Sequence, residues 1–308
     1  MEYYAQRWRA PAGRGIFRGA GALMANTAMA DAHAETPPRE TIYRHSRVVR
    51  ITHWLNALCL LVLLMSGLQV FNAHPRLYWG QKGADADRPF VEMTAVGLDH
   101  APRGVVRIGR LEADTTGVFG LSRMNGRLTV RGYPAWLTLP SYQDLGTGRR
   151  WHFFFAWLFV LNGLTYVGFG LWSRHLQRDL TPSRAELEPK RLLHDIVEHA
   201  QFRFPTGEAA KRYNPLQKLA YLGVIALLTL MILSGLTMSP GMDSVFPWLV
   251  DLFGGRQSAR TIHWISANLI VLFVAVHLFM VVAAGVVNEV GSMITGRYRI
   301  KPDVGSAP

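Results

Sequence analysis

Cysteine is nearly absent from this sequence, which has a single cysteine, Cys59, among its 308 residues. One cysteine excludes an internal disulfide, and the Cys-x-x-Cys-His motif that attaches haem through thioether bonds is missing. Covalent attachment of a cofactor through that motif is therefore excluded.

Charged residues are missing from four long apolar stretches, although they make up 18% of the chain. Each stretch reaches the roughly 20 apolar residues that a helix needs to cross the hydrocarbon core of a bilayer. Hydrophobic residues account for 49% of the sequence. The sequence therefore predicts an all-α integral membrane protein, a four-helix up-down bundle with a long, partly β extracytoplasmic loop between the first and second helices.

The predicted segments follow from the bounds of these stretches and from the breaker residues between them. They are a disordered N-terminal extension at 1–40, which a misassigned start codon would explain, a juxtamembrane segment and first transmembrane helix at 41–71, a periplasmic loop or cap at 72–150, the second transmembrane helix at 151–172, a cytoplasmic loop at 173–215, the third transmembrane helix at 216–238, a short periplasmic loop at 239–260, the fourth transmembrane helix at 261–287 and a cytoplasmic tail at 288–308. Within the cap, the β-prone run at 127–133 follows the Asn125–Gly126 turn signal, and a second run lies at 104–110.

Acidic residues are also in deficit, with 21 Asp and Glu against 33 Lys and Arg and a net charge of +12. Membrane topology explains this excess, so no nucleic-acid partner is expected. The segment from Ser173 to Lys218 is rich in Lys and Arg, whereas the connection from Ser239 to Arg260 has only Arg256 and Arg260. The positive-inside rule then puts both termini of this multi-pass membrane protein in the cytoplasm, with lipid around the spans.

Four of the eleven histidines lie in or at the edge of the predicted spans, namely His53, His152, His263 and His277. An ionisable ring at membrane depth is unfavourable unless it has a partner, so each is a candidate functional residue. The alternative for any single histidine is a hydrogen bond to a neighbouring helix.

The spacing of these histidines favours pairs. His263 and His277 are separated by about 21 Å along one helix and lie only about 40° apart around it. Up-down threading puts His53 level with His277 and His152 level with His263. No Cys, Asp or Glu lies near these histidines in the spans to complete a zinc or di-iron site, so two facing imidazoles suit bis-histidine ligation of a haem iron. Such an iron has no open position for a substrate, which indicates an electron carrier; a structural histidine network is the alternative.

Two further features support haem binding. Gly67 is fourteen residues after His53, where a shallow helix surface would make room for a macrocycle, although ordinary small-residue helix packing is the alternative. Arg50, Arg149 and Arg260 each precede one of the histidines by three residues, which suits contacts to haem propionates. For Arg50, a role as a positive-inside anchor is sufficient.

These motifs resemble the bacterial di-haem cytochrome b subunits of formate dehydrogenase, nickel–iron hydrogenase and thiosulfate reductase. The resemblance covers about Tyr43 to Ile300. It rests on Arg50-Ile-Thr-His53-Trp54, Arg150-Trp151-His152, Arg260-Thr-Ile-His263-Trp264 with His277 fourteen residues later, Arg212-Tyr-Asn-Pro-Leu-Gln-Lys218 and Thr295-Gly-Arg-Tyr-Arg-Ile300. The long first loop is most similar to the thiosulfate reductase branch.

The resemblance implies two non-covalent haems b with bis-histidine ligation. His53 and His277 would hold the haem on the cytoplasmic side, and His152 and His263 would hold the outer haem, which agrees with the pairing expected from spacing.

The resemblance also implies a quinone pocket beside the inner haem, at the start of the third span. Asn214 and Gln217 are the matching candidates to form hydrogen bonds with the quinone carbonyls. From the residues alone, Asn214 is equally suited to be a helix N-cap in front of Pro215.

The expected function is electron transfer between the quinone pool and a periplasmic catalytic redox subunit of the molybdopterin type, in a respiratory chain. The chain itself would perform no chemistry beyond quinone redox and would contain no catalytic residue. The alternatives are a stand-alone quinone-linked haem oxidoreductase and a haem-free membrane anchor.

Overall fold

The computed structural model describes residues 40–300, apart from residues 84–86, 175, 202, 205 and 212. The predicted N-terminal extension lies outside the described residues except for Glu40, and the predicted tail lies outside them from residue 301 onward.

Four long helices form the frame of the described chain. In chain order the elements are β1 (Thr41–Tyr43), α1 (Arg47–Phe71), β2 (Arg76–Leu77), β3 (Val91–Val96), β4 (Arg103–Ile108), β5 (Leu111–Asp114), β6 (Gly120–Met124), β7 (Arg127–Arg131), α2 (Leu145–Trp172), α3 (Pro189–Ala200), α4 (Pro215–Thr237), α5 (Pro240–Val245), α6 (Trp248–Leu252), α7 (Arg256–Thr295) and β8 (Arg297–Arg299). Helices α1, α2, α4 and α7 are long and apolar enough to cross a membrane. The largest helix contacts join α1 to α2 and α4 to α7.

The starts of three long helices are set by capping side chains. Ser46 accepts a hydrogen bond from Val49 N at 3.3 Å, and Asp144 accepts one from Thr147 N at 3.0 Å. Asn214 caps α4, with Pro215 at its first position. Each cap satisfies a backbone N–H that has no partner inside the helix, which matters most where the chain enters an apolar layer.

Six strands between α1 and α2 form the cap. Strands β2 to β5 make a four-stranded antiparallel meander, and β6 and β7 make a hairpin. Asn125 and Gly126 connect the hairpin with φ angles of 50° and 81°. Two successive positive φ angles define the turn that matches strand twist, and Asn-Gly is the residue pair that adopts them most readily.

The assignment of this protein to the all-α class is wrong. Eight strands form three antiparallel sheets in the described part of the chain. The third sheet pairs β1 with β8, opposing Tyr43 to Arg297. Hydropathy identifies the apolar spans but does not show where the backbone N–H and C=O groups of the other segments find partners. Those groups pair between strands, both in the cap and where the start of α1 meets the end of α7.

The cap is joined to α1 by an apolar cluster and by one buried arginine. Phe71 of α1 packs with Leu77, Val91, Met93 and Tyr133. Beside this cluster, the guanidinium of the buried Arg131 donates hydrogen bonds to Tyr133 O at 2.7 Å, Ser141 O at 3.1 Å, Gln69 Oε1 at 3.2 Å and Thr138 Oγ1 at 2.9 Å. With no carboxylate among these partners, burial lowers the pKa of Arg131. A single side chain thus satisfies buried acceptors from both the cap and α1.

Helix α7 is bent at Gly285, whose φ of 117° and ψ of 88° interrupt the helix. Beyond the bend, the last turn reaches the first turns of α1. Trp54 Nε1 donates to Met293 O at 3.1 Å, and the Arg50 guanidinium donates to Ile294 O. Only glycine adopts this backbone conformation without strain, so the bend and these contacts depend on it.

We expect Arg131→Met to destabilise the cap, because each buried acceptor left unpaired costs about 1–3 kcal/mol. Limited proteolysis between α1 and α2 and the thermal midpoint in detergent measure the effect. Arg127→Met is the matched control, since Arg127 lies exposed on the same strand. Equal proteolysis rates for the two variants would contradict the proposed role of Arg131.

We expect Gly285→Ala to lower the thermal midpoint, because a non-glycine residue in such a conformation costs about 1–3 kcal/mol. Gly291→Ala is the matched control: it lies on the same helix with a helical backbone and open space at the Cβ position. That variant should be neutral or more stable by about 0.5–1 kcal/mol. Equal midpoints for the two variants would show that α7 does not need the bend.

Candidate functional site

The four histidines of the spans meet as two pairs inside the helix bundle. The cap-side pair consists of His152 on α2 and His263 on α7, with ring centroids 6.4 Å apart and ring planes at 66°. The terminus-side pair consists of His53 on α1 and His277 on α7, with centroids 6.3 Å apart and planes at 57°. Helix α7 therefore supplies one ring to each pair.

The distance between the rings distinguishes a metal site from a hydrogen-bonded pair. A metal–imidazole bond of about 2.0 Å, with the ring centre about 1.1 Å behind each nitrogen, puts two ligand centroids about 6.2 Å apart. A direct hydrogen bond of about 2.9 Å between ring nitrogens would bring the centroids to about 5.1 Å. The two observed distances match the first geometry.

The number of ligands distinguishes between kinds of metal site. Among the described residues, no group of three or more His, Cys, Asp or Glu side chains could hold a metal ion. Structural zinc needs four protein ligands and catalytic zinc needs three. Two imidazoles at this separation suit haem, whose macrocycle would supply the other four nitrogens.

The cap-side imidazoles are held by serine hydroxyls. Ser66 Oγ lies 3.1 Å from His152 Nδ1, and Ser234 Oγ lies 3.1 Å from His263 Nδ1. Each hydroxyl also donates its proton to the carbonyl four residues earlier, Ser66 to Val62 O at 2.6 Å and Ser234 to Leu230 O at 2.7 Å.

Glycines leave room for the same two rings. A Cβ atom at Gly67 would lie 3.2 Å from His152 Cε1, and one at Gly235 would lie 3.3 Å from His263 Cε1. Both glycines directly follow the serines that contact these rings. The close neighbour of Gly67 is thus an imidazole on the next helix. The two helices can approach this closely only because glycine has no side chain at the contact.

Ser66 and Ser234 are the site residues that the sequence analysis missed. The signal is a repeat: Leu-Leu-Met-Ser66-Gly67-Leu in α1 and Met-Ile-Leu-Ser234-Gly235-Leu in α4. Each copy faces a histidine of the helix that packs against it. A search for similarity between spans, rather than for metal ligands alone, would have found both serines.

The terminus-side pair has different surroundings. His53 Nδ1 is buried without a hydrogen-bond partner, and the ring meets Trp54 edge-on at 5.3 Å. The His277 ring stacks on Phe273 at 6.0 Å. A buried nitrogen without a partner is uncommon in a folded protein, and this one belongs to a histidine of a pair with ligand spacing.

The three candidate propionate arginines have other contacts in the described chain. The Arg50 guanidinium binds Ile294 O. Arg149 lies over the Phe153 ring at 5.5 Å. Arg260 donates to His74 O and lies over Phe71 at 5.6 Å. Arg149 and Arg260 lie toward the cap and Arg50 at the opposite end of the bundle.

The two candidate quinone residues form the capping box of α4. Asn214 Oδ1 accepts from Leu216 N at 2.8 Å, and Gln217 Oε1 accepts from Asn214 N at 3.2 Å. The N-cap alternative for Asn214 is therefore present. Both hydrogen bonds use the amide oxygen, so capping does not occupy the NH₂ group of either side chain.

Aromatic side chains surround the start of α4. Tyr213 meets Tyr221 edge-on at 5.4 Å, and the Arg44 guanidinium lies over Tyr213 at 5.4 Å and over Tyr298 at 4.6 Å. Burial raises the pKa of Tyr213 and of Tyr298. The region therefore combines apolar ring surface with neutral hydroxyl and amide donors.

A sequence model described as prokaryotic cytochrome b561 matches residues 44–296 of this chain. A putative protein-methionine-sulfoxide reductase subunit of Azospira oryzae is 27% identical over 237 residues, which cover 77% of this chain and 89% of the relative. A probable Ni/Fe-hydrogenase B-type cytochrome subunit of Rhodobacter capsulatus is 24% identical over 279 residues, covering 86% and 84%. A putative cytochrome of Escherichia coli is 25% identical over 264 residues, covering 84% and 76%. No solved structure matches the chain.

Proposed function

The chain belongs to the prokaryotic cytochrome b561 family, membrane haem proteins of electron transfer, and from this premise we propose that it is a di-haem subunit linking quinone to a catalytic redox subunit. The observation that carries the proposal is the presence of two imidazole pairs with ligand spacing. Each pair suits one haem b, held by His53 and His277 or by His152 and His263.

The residues of each pair explain why the chain would carry electrons and not bind a substrate at iron. Each bound haem supplies a one-electron ferric–ferrous couple. With both histidines of a pair as ligands, a bound haem would have no open position for a substrate. Arg149 and Arg260 at the cap-side end, and Arg50 at the other end, are the cations available to the propionates.

A quinone pocket at the start of α4 is the second part of the proposal. Asn214 and Gln217 have amide N–H groups that capping does not occupy, and a quinone presents two carbonyl acceptors. Tyr213 and Tyr221 offer ring faces for a flat, apolar head group. This pocket would lie toward the terminus-side pair.

The proposed setting is the bacterial inner membrane, with both termini in the cytoplasm and the cap in the periplasm. The distribution of Lys and Arg in the loops supports this orientation. A periplasmic catalytic subunit of the molybdopterin type is the proposed partner. Two of the relatives carry the word subunit in their names, one of a hydrogenase and one of a reductase, which supports assembly with a catalytic protein.

We expect two haems b per wild-type chain and about one in His277→Ala and in His263→Ala, because each substitution removes one of two axial ligands. Reduced-minus-oxidised spectra and pyridine haemochrome content of the purified protein measure the stoichiometry. His100→Ala, on the exposed surface of the cap, is the control and should keep both haems. A wild-type protein without b-type bands would identify a haem-free anchor.

We expect Asn214→Asp to slow haem reduction by quinol about tenfold, since one lost hydrogen bond of about 1.4 kcal/mol has that effect. Asp is as good an N-cap as Asn but has no amide donor, so it separates capping from quinone binding. Asn214→Ala should lose both functions and also lower the thermal midpoint. A normal rate in Asn214→Asp would limit this residue to capping.

A further inference from the structure

We infer that Ser66 and Ser234 are matched positioning residues, which fix the proton on Nδ1 of His152 and His263 and thereby lower the reduction potential of a haem held by the cap-side pair. The inference rests on the proposed haem ligation by these histidines. It adds that the two haems would differ in reduction potential.

The direction of each hydrogen bond follows from proton counting. A serine hydroxyl has one proton, and both hydroxyls donate it to a helix carbonyl, Val62 O for Ser66 and Leu230 O for Ser234. With that proton donated to the carbonyl, each Oγ is an acceptor for its second contact, 3.1 Å from the histidine Nδ1. A backbone carbonyl oxygen, which can only accept, also faces each Nδ1, so both neighbours favour the imidazole proton on Nδ1 in the two rings.

The position of that proton decides which nitrogen can bind a metal. A neutral imidazole with its proton on Nδ1 presents the lone pair of Nε2. A carbonyl three residues before each serine faces the same ring: Met231 O lies 3.1 Å from His263 Nδ1, and Leu63 O is the corresponding acceptor for His152. The two rings are thus held by the same arrangement, built from two copies of one local sequence.

A second-shell acceptor makes an imidazole a stronger electron donor to the metal. A stronger donor favours the ferric over the ferrous iron, so one-electron reduction becomes less favourable and the potential falls. The terminus-side pair lacks this support at one ring, because His53 Nδ1 is buried without a partner. The serines therefore bias the potential of the cap-side haem downward relative to that of the terminus-side haem.

Ordinary intrahelical bonding does not explain the arrangement. Serine and threonine in apolar helices commonly donate to the carbonyl four residues earlier. Thr229 does so on α4 and Thr165 on α2, each at 2.8 Å, and both side chains lie on exposed helix faces. Ser66 and Ser234 are fully buried and make the additional contact to an imidazole. The two threonines therefore provide matched controls.

The test is a spectroscopic redox titration of the purified full-length protein carrying Ser66→Ala, Ser234→Ala or both. We expect two haems to remain, the midpoint potential of the cap-side haem to rise in each variant and to rise further in the double variant, and the terminus-side haem to keep its potential. His263→Ala and His277→Ala assign the two potentials to their sites. Thr229→Val and Thr165→Val should shift neither.

Several results would overturn the inference: no shift, an equal shift of both haems, or the same shift in a threonine control. If Ser66→Ala loses the cap-side haem, Ser66→Thr must restore the haem and its potential, and failure of that rescue also overturns it. A wild-type protein without b-type bands would instead refute the proposed haem binding, so the two failures are distinguishable.

Discussion

The separation of facing imidazole rings, 6.3 Å and 6.4 Å, is the constraint on which the rest of this structure depends. Polar rings inside an apolar bundle need partners, and these rings are too far apart to be partners for each other. The helices hold each pair at a separation that fits the proposed ligation of one haem iron. The pairing of α1 with α2 and of α4 with α7 provides this, with α7 crossing the bundle to reach both pairs.

The two ends of the bundle keep that separation by different means. At the cap, Arg131 ties strand β7 to α1, and Ser66 and Ser234 orient the two histidines. At the other end, the bend at Gly285 brings the last turn of α7 against α1, and β1 pairs with β8. The cap-side rings are therefore positioned by hydrogen bonds, whereas the terminus-side rings depend on packing and on the path of α7. This difference is the physical basis for expecting two unequal redox sites.

Some features of the fold and of the site could be predicted from the sequence, and others could not. The resemblance of the Arg-x-x-His-Trp motifs and their neighbours to bacterial cytochromes b is confirmed by the family match over residues 44–296. The all-α class was wrong, because strand ladders form between segments whose hydropathy is unremarkable. Ser66 and Ser234 were missed because serine in an apolar run usually bonds to its own helix, and their second contact is to another helix. For Asn214, sequence left two roles open, and the structure supplies the capping hydrogen bonds while leaving the amide N–H groups available.

The sequence by itself determined the number of apolar spans, the lack of a covalent haem attachment site and the candidate histidines, because these depend on composition and on spacing along single helices. Only the tertiary structure decided the distance between rings, the partners of the cap-side Nδ1 atoms, the bend of α7 and the pairing of the cap strands. The reason is physical: hydropathy and helical period act over a few residues, whereas His152 and Ser66, or Trp54 and Met293, meet only after the helices have packed.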